Sequence, residues 1–188
     1  MSRRPSPLIL VSNRGPVTFG HGAGGEVEQT RGGGGLVTAL LGLAEHTPAL
    51  WVSAAISEAD EAVSAENDGG SFPLPDLGID TRGRFVVIDP ETYHQYYNVV
   101  ANPMLWFIQH YLWDLSNAPE VRREELDAWD NGYLAANRAF AEAVNRELDD
   151  DPERVVMLHD YHLYTAPEQI REAHPDAFLH HFIHIPWS

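Results

Sequence analysis

The 188-residue sequence contains no lysine and no cysteine. Without cysteine the chain has no disulfide, thiolate metal site or cysteine nucleophile, and its redox compartment stays undetermined. Without lysine, every basic side chain is an arginine, so an anion site would use guanidinium groups and backbone N–H groups. Acidic residues outnumber basic ones, and the formal net charge of −16 argues against nucleic acid and anionic membranes as partners.

Long apolar runs are also missing. The short apolar run at residues 8–11 is too brief for a signal-peptide core, and no stretch approaches the length of a membrane span. We therefore expect a cytoplasmic protein with no membrane association. Hydrophobic residues still make up 44% of the chain, which is enough for a core. The length suits one domain, or one lobe of a larger enzyme.

The strongest pattern lies in the last thirty or so residues. Two short apolar strands, at 155–158 and 178–183, flank a helix predicted over 165–174. Polar residues follow the two strand ends: His159, Asp160, His162 and His184. A strand–helix–strand unit builds a parallel sheet, and such sheets bind ligands beyond the carboxyl ends of their strands. We expect Asp160, His162 and His184 to line one crevice, although packed, hydrogen-bonded histidines would give the same pattern.

The rest of the chain alternates strands and helices. Strands are expected at 8–11, 49–56 and 84–88, a small hairpin or flexible flap at 16–29, a helix at 36–44 and a long amphipathic helix over 120–148. The fold class is therefore α/β, with a Rossmann-like parallel sheet flanked by helices. Four glycines at 32–35 precede the first helix, where backbone N–H groups could approach an anion, or they form a plain linker. They lack the ending of a P-loop.

Aromatic residues are dense between positions 93 and 113. They predict either a packed pair of helices or a platform for a sugar ring.

Taken together, several short motifs resemble the N-terminal lobe of the trehalose-6-phosphate synthase family, glycosyltransferase family 20. The motifs are Ser12-Asn13-Arg14, Gly34-Gly35-Leu36, Tyr97-Asn98 with Trp106, His159-Asp160-Tyr161-His162 and His184-Ile185-Pro186. They cover nearly the whole chain in the family's order, and the set is specific although no single motif is. The resemblance implies the N-terminal half of a GT-B fold, with residues 1–188 as an acceptor-side lobe.

The resemblance also implies an activity: retaining transfer of glucose from UDP-glucose, or a similar nucleotide-glucose, to glucose 6-phosphate, giving trehalose 6-phosphate. It implies catalytic roles for Asp160 and His184, acceptor binding by Arg14, Tyr97, Trp106 and Asp160, and donor binding by Gly34, Gly35 and His184. Arg14 would grip the phosphate as a two-pronged donor. No metal or other cofactor is implied.

Two departures from the family pattern stand out. Many members carry Trp-x-Gly-Trp-Ser-Gly after the second strand, where this chain has Trp51-Val-Ser-Ala-Ala-Ile56 and so lacks the second tryptophan. The family's C-terminal, donor-binding lobe is absent from the 188 residues. The resemblance therefore implies that this lobe is supplied in cis or in trans and that the chain alone is inactive; a homo-oligomer is left open.

Three alternatives follow from the same residues. The chain could be a sugar-phosphate-binding module without turnover, or a related enzyme with another phosphorylated polyol as acceptor. A metal-dependent enzyme would use five histidines, His159, His162, His180, His181 and His184. Alternate residues of a strand point to opposite faces, which argues against their convergence on one ion.

Overall fold

The computed structural model describes residues 8–22, 24–33, 35–44, 46–77, 80–112 and 121–185. The strands are β1 (Leu8–Val11), β2 (Val17–His21), β3 (Val27–Arg31), β4 (Ala49–Ala54), β5 (Phe72–Pro73), β6 (Arg82–Val86), β7 (Val155–His159) and β8 (Phe178–Phe182). The α-helices are α1 (Gly35–Ala44), α2 (Glu58–Glu66), α3 (Pro90–His94), α4 (Phe107–Gln109), α5 (Arg123–Ala128), α6 (Ala135–Asp150) and α7 (Ala166–Ala173). Two π-helical segments, Gln95–Trp106 and Trp129–Leu134, continue α3 and α5.

Six strands form one sheet in the order β5-β6-β4-β1-β7-β8, parallel except for β5. Strands β2 and β3 form a separate antiparallel hairpin, as the glycine turn between them predicts. The central strand β1 is buried along its whole length, as expected of a strand covered on both faces. The predicted class, a Rossmann-like α/β fold with a mostly parallel sheet, is confirmed.

Alternate residues of β1 enter two different cores. Ile9 and Val11 join the larger core, which contains residues of the π-helical segments, α6 and α7. Leu8 and Leu10 join the smaller core with α1 on the opposite face. This two-sided burial leaves the carboxyl ends of the strands as the open edge of the central sheet.

The long helix predicted over 120–148 is present as three consecutive pieces over residues 123–150: α5, a π-helical segment and α6. Gly132 lies in the π-helical segment, where an added Cβ would come within 2.4 Å of Gln95 Cβ. The two π-helical segments therefore pack unusually closely. Sequence periodicity correctly predicts the buried face from Tyr133 to Val144, but it also places Leu126 there, which is 56% exposed, and it does not predict the change of helical pitch.

The strand expected at 84–88 is displaced by two residues. Strand β6 runs over Arg82–Val86 because it pairs with β4, with Leu50 opposite Arg82 and Ala54 opposite Val86. Val87, counted as strand interior by its apolarity, is 51% exposed. The strand expected at 49–56 likewise ends at Ala54.

Candidate functional site

A cavity of about 200 Å³ opens at the carboxyl ends of β1 and β7. Its lining consists of Asn13, Arg14, Gly33, Gly35, Val37, Tyr97, His159, Asp160 and His162. Two turns supply most of the polar groups: the β1 turn (residues 12–14) and the β7 turn (residues 160–163). Because β1 and β7 are adjacent parallel strands, the two turns meet at the same edge.

The β1 turn is held by hydrogen bonds of the buried Ser12 hydroxyl, and the Arg14 side chain points into solvent. Ser12 is fully buried; its hydroxyl donates to the carbonyl of Arg14 at 2.7 Å and accepts the indole N–H of Trp51 at 2.8 Å. The Arg14 side chain is exposed and donates to the Tyr97 hydroxyl at 3.3 Å. The guanidinium is thus oriented by one neutral partner and keeps most of its donors for an anion.

Asp160 ties the ends of β7 and β8 together. Its N–H donates to the carbonyl of Phe182 at 2.8 Å, and its own carbonyl oxygen lies 2.9 Å from Nε2 of His181. Its carboxylate accepts the backbone N–H of His184 at 3.2 Å. The backbone of Asp160 has φ of 70°, a strained value for a residue other than glycine. Such strain is often held at functional sites.

His162 is packed among aromatic rings in the cavity wall. It stacks on Tyr161, with 4.2 Å between ring centroids, and on Tyr97, with 5.7 Å. Burial, assisted by the nearby Arg14 charge, lowers the pKa of His162 to about 4. The ring is therefore neutral at neutral pH, and Arg14 and Asp160 are the charged groups of the cavity wall.

His159 and His184 form a hydrogen-bonded pair beside the cavity. Nδ1 of His159 lies 3.2 Å from Nε2 of His184. His159 lines the cavity, whereas His184 is exposed and connects to it through His159 and through the Asp160 carboxylate. Burial, then the neighbouring His184, His181 and His180, lowers the pKa of His159 to about 4.

The structure brings together Arg14, Tyr97, Asp160, His162 and Gly35 of the residues singled out from the sequence. His184 lies next to them. Trp106 does not line this cavity: it ends the π-helical segment that carries Tyr97, is 40% exposed and packs on His110 at 4.2 Å. Gly34 and Trp113 lie outside the described residues. Gly35 begins α1, and nothing stands within 4 Å of where its Cβ would be.

Asn13 and Val37 are cavity residues that the sequence analysis assigned no role. Asn13 is 4% exposed, and its amide donates to the Tyr93 hydroxyl at 3.2 Å. Its position at the end of β1, next to Arg14, is the feature of the sequence that could have identified it as a site residue. Val37 lies in the first turn of α1 and gave no signal beyond helix periodicity.

A larger cleft, of about 450 Å³, lies between the first π-helical segment and α5. Its polar lining is mainly acidic and lies on helical segments: Glu91, His94, Gln95, Arg123, Glu124 and Asp127. We place the chemistry at the smaller cavity, because there a guanidinium, a carboxylate and imidazoles converge at strand ends.

Within the described ranges, no group of three or more His, Asp or Glu side chains is arranged to hold a metal ion. The five histidines considered above therefore do not form such a cluster. No helix in the same ranges is long and apolar enough to cross a lipid bilayer.

Comparison with known sequences gives one family match and many relatives. The family model described as glycosyltransferase family 20 matches residues 6–188. The chain is 31% identical over 190 residues to alpha,alpha-trehalose-phosphate synthase [UDP-forming] 1 of Aspergillus fumigatus, covering 96% of this chain and 33% of the relative. It is 28% identical over 183 residues to validamine 7-phosphate valienyltransferase of Streptomyces hygroscopicus subsp. jinggangensis, covering 97% and 37%.

Solved structures with the same fold carry related names. A trehalose-6-phosphate synthase, OtsA, superposes with a TM-score of 0.70 at 24% identity, covering 97% of this chain and 35% of that one. A UDP-forming synthase from Burkholderia xenovorans in complex with glucose-6-phosphate gives 0.66 at 21% identity, covering 97% and 34%. The chain spans about a third of the length of the relatives and structures named here.

Proposed function

The chain belongs to glycosyltransferase family 20, and from that premise we propose that it is the acceptor-side lobe of a retaining glucosyltransferase. The reaction moves glucose from UDP-glucose or a similar nucleotide-glucose to glucose 6-phosphate and gives trehalose 6-phosphate. The observation that carries the proposal is the shared cavity of Arg14, Tyr97 and Asp160 at two adjacent strand ends. We assign the reaction to the cytoplasm.

The acceptor phosphate is assigned to Arg14. The guanidinium is exposed and, among the described residues, has no carboxylate partner within ion-pair distance, so its charge remains available. Tyr97 holds it from one side. Charge-assisted hydrogen bonds of this kind each contribute about 1.5–3 kcal/mol.

The acceptor hydroxyls are assigned to Asp160. One carboxylate oxygen is engaged by the His184 N–H, which fixes the side chain and leaves the other oxygen free to accept from a sugar. A single fixed carboxylate suits positioning of an attacking hydroxyl, not the two-carboxylate scheme of glycoside hydrolysis.

The donor is assigned to the other side of the cavity. The glycine segment and the start of α1 offer backbone N–H groups and the positive end of a ten-residue helix to the diphosphate. His184 is assigned to the donor glucose. We propose that the reaction needs no metal, because the leaving diphosphate itself can take the acceptor proton, and that the donor-binding lobe acts in cis or in trans.

A second candidate is a related transferase with a different phosphorylated polyol as acceptor. Similarity to a relative named for validamine 7-phosphate favours it. So does Ala54, a buried residue at the end of β4, which stands where many family members carry tryptophan. Both candidates keep a phosphate on the acceptor and therefore the same role for Arg14.

Calorimetric titration of the chain with glucose 6-phosphate, glucose, inorganic phosphate and validamine 7-phosphate tests the acceptor assignment. Glucose 6-phosphate should bind more tightly than glucose or phosphate alone; equal affinity for glucose contradicts a phosphate grip by Arg14. Release of UDP from UDP-glucose, measured for the chain and for any longer product of the same gene, tests transfer. Binding without release in either protein would leave a sugar-phosphate-binding module instead.

A further inference from the structure

The paired imidazoles of His159 and His184 constrain where their protons lie. Between Nδ1 of His159 and Nε2 of His184, 3.2 Å apart, only one nitrogen can donate while the other accepts. The remaining nitrogen of His159, Nε2, is fully enclosed and has no hydrogen-bond partner. The ring of His159 is itself 2% exposed.

The enclosed Nε2 selects the tautomer of His159. If Nδ1 accepted, the proton would sit on Nε2 as a buried N–H without a partner, which is the rarer and costlier arrangement. If Nδ1 donates, Nε2 carries only an unpaired acceptor site. The second arrangement makes Nε2 of His184 the acceptor and moves the proton of neutral His184 to Nδ1.

We infer that His159 is a positioning residue, whose Nδ1–H donates to Nε2 of His184 and holds His184 in the Nδ1–H tautomer as a hydrogen-bond donor to a sugar oxygen. The donation by His184 to a sugar oxygen rests on the proposed function, whereas the tautomer of His184 does not. In water a neutral histidine favours the Nε2–H tautomer. The bond from His159 therefore stabilises a tautomer of His184, Nδ1–H, that is the minor one for an isolated histidine. Within the described residues, Nδ1 of His184 has no hydrogen-bond partner of its own.

The surroundings agree with a neutral His159. A proton added to His159 would again create the enclosed, unpartnered N–H, and the pKa of His159 is lowered to about 4, first by burial and then by three histidines. The titratable or charged groups around the pair are Asp160, His180 and His181, with Arg14 across the cavity. Asp160 receives the backbone N–H of His184, not its ring.

Long-range ¹H–¹⁵N NMR of the 188-residue chain at neutral pH tests the inference directly. In the wild type, Nδ1 of His184 should appear protonated and Nε2 unprotonated. His159→Phe keeps an aromatic ring in the buried position but removes the donor. It should shift the tautomer ratio of His184 toward Nε2–H by about fivefold or more, the change given by one net neutral hydrogen bond. His159→Asn places an amide N–H near Nδ1 and should retain the wild-type tautomer.

His180→Phe is the matched control, because His180 is an exposed neighbour on β8 whose ring makes no hydrogen bond with His184. It should leave the His184 tautomer unchanged, and circular dichroism should confirm that all variants fold. Finding His184 in the Nε2–H form in the wild type, or no change in His159→Phe, overturns the inference. These outcomes are read without turnover, so the tautomer can be confirmed even where neither the chain nor a longer product of the same gene releases UDP, a result that would refute only the proposed function.

Discussion

The β1 turn and the β7 turn meet at one cavity but are supported in different ways. The β1 turn is held by backbone hydrogen bonds to β4 and by the Trp51 indole beneath Ser12, and it leaves Arg14 in solvent. The β7 turn is held by the second π-helical segment and α6, which bond to its backbone. Arg14 therefore lies on an exposed turn, and Asp160 on a turn that buried side chains hold in place.

The clamp under the β7 turn consists of two buried residues. The Tyr133 hydroxyl donates to the carbonyl of Tyr161 and accepts the N–H of Tyr164 at 3.1 Å. The Asn137 amide donates to the carbonyls of Tyr133 and His162, at 2.9 and 3.0 Å. Its oxygen accepts the N–H groups of Thr165 and Ala166, at 3.2 and 3.1 Å, and so caps α7. The comparison teaches that the β7 turn depends on buried side chains of the helices packed against it, whereas the β1 turn depends chiefly on the neighbouring strand β4.

The largest expected effect follows from breaking this clamp. Asn137→Leu keeps the volume of a fully buried side chain but removes the hydrogen bonds to the His162 carbonyl in the β7 turn and to the N–H groups of Thr165 and Ala166 at the start of α7. We expect the free energy of unfolding to fall by about 3–4 kcal/mol, because buried polar groups are stranded. Urea unfolding followed by circular dichroism measures it.

The control for the clamp is Asn131→Leu, an exposed position in the adjacent π-helical segment. It should change the free energy of unfolding by less than about 0.5 kcal/mol. If both variants lose the same stability, the β7 turn is not held by Asn137.

The second effect concerns pH and arises at the β7 side of the cavity. The pKa of His162 is about 4 in the folded chain, against an ordinary value of 6.5, because of its burial. The unfolded chain therefore binds more protons between these two values. Stability is fully present above pH 6.5 and falls as the pH drops to 4, by up to about 3 kcal/mol from this residue.

Urea unfolding at a series of pH values measures that loss. His162→Phe should flatten the decline between pH 6.5 and 4, although the buried His159, whose pKa is also lowered to about 4, keeps part of it. His21→Phe, on the exposed hairpin, should retain the full decline. An unchanged slope in His162→Phe would show that this ring is accessible to protons in the folded state.

Substitution of Arg14 in the β1 turn should lower ligand affinity but not the free energy of unfolding. Arg14→Ala should weaken glucose 6-phosphate binding about 10- to 100-fold, the loss of one charge-assisted group, while the free energy of unfolding stays within about 0.5 kcal/mol. Calorimetric titration measures the affinity.

Two further variants sharpen the Arg14 prediction. Arg14→Lys keeps the charge but loses the planar fork, and should fall between wild type and Arg14→Ala. Arg31→Ala removes an exposed arginine of the hairpin and should bind like the wild type. Equal weakening by Arg31→Ala would mean that overall charge, not Arg14, attracts the phosphate.

The sequence predicted the site residues of the β1 and β7 turns better than the buried residues that hold these turns in place. Strand ends are visible as apolar runs followed by polar groups, and adjacency of parallel strands brings Arg14 and Asp160 together. Asn137 lies 25 residues before His162 in the sequence, and nothing local marks the bond between them. The His159–His184 pair likewise depends on the register of β7 and β8, which places His159 opposite Phe182.

The smallest effect is expected under the β1 turn, where the Trp51–Ser12 bond is one of several: the Asn13 amide also bonds Tyr93, and the backbone of the turn bonds β4. Trp51→Phe removes the indole N–H that bonds Ser12 Oγ and part of a fully buried side chain. Ser12 still donates to the carbonyl of Arg14, so no donor is stranded. We expect a loss of about 1–2 kcal/mol in unfolding free energy, below that of Asn137→Leu.

Because Arg14 is part of the β1 turn, Trp51→Phe should also lower glucose 6-phosphate affinity, but only a few-fold. Trp106→Phe, at an exposed position, is the stability control. A larger loss for Trp51→Phe than for Asn137→Leu would reverse the comparison and make the β1 turn the better-clamped turn.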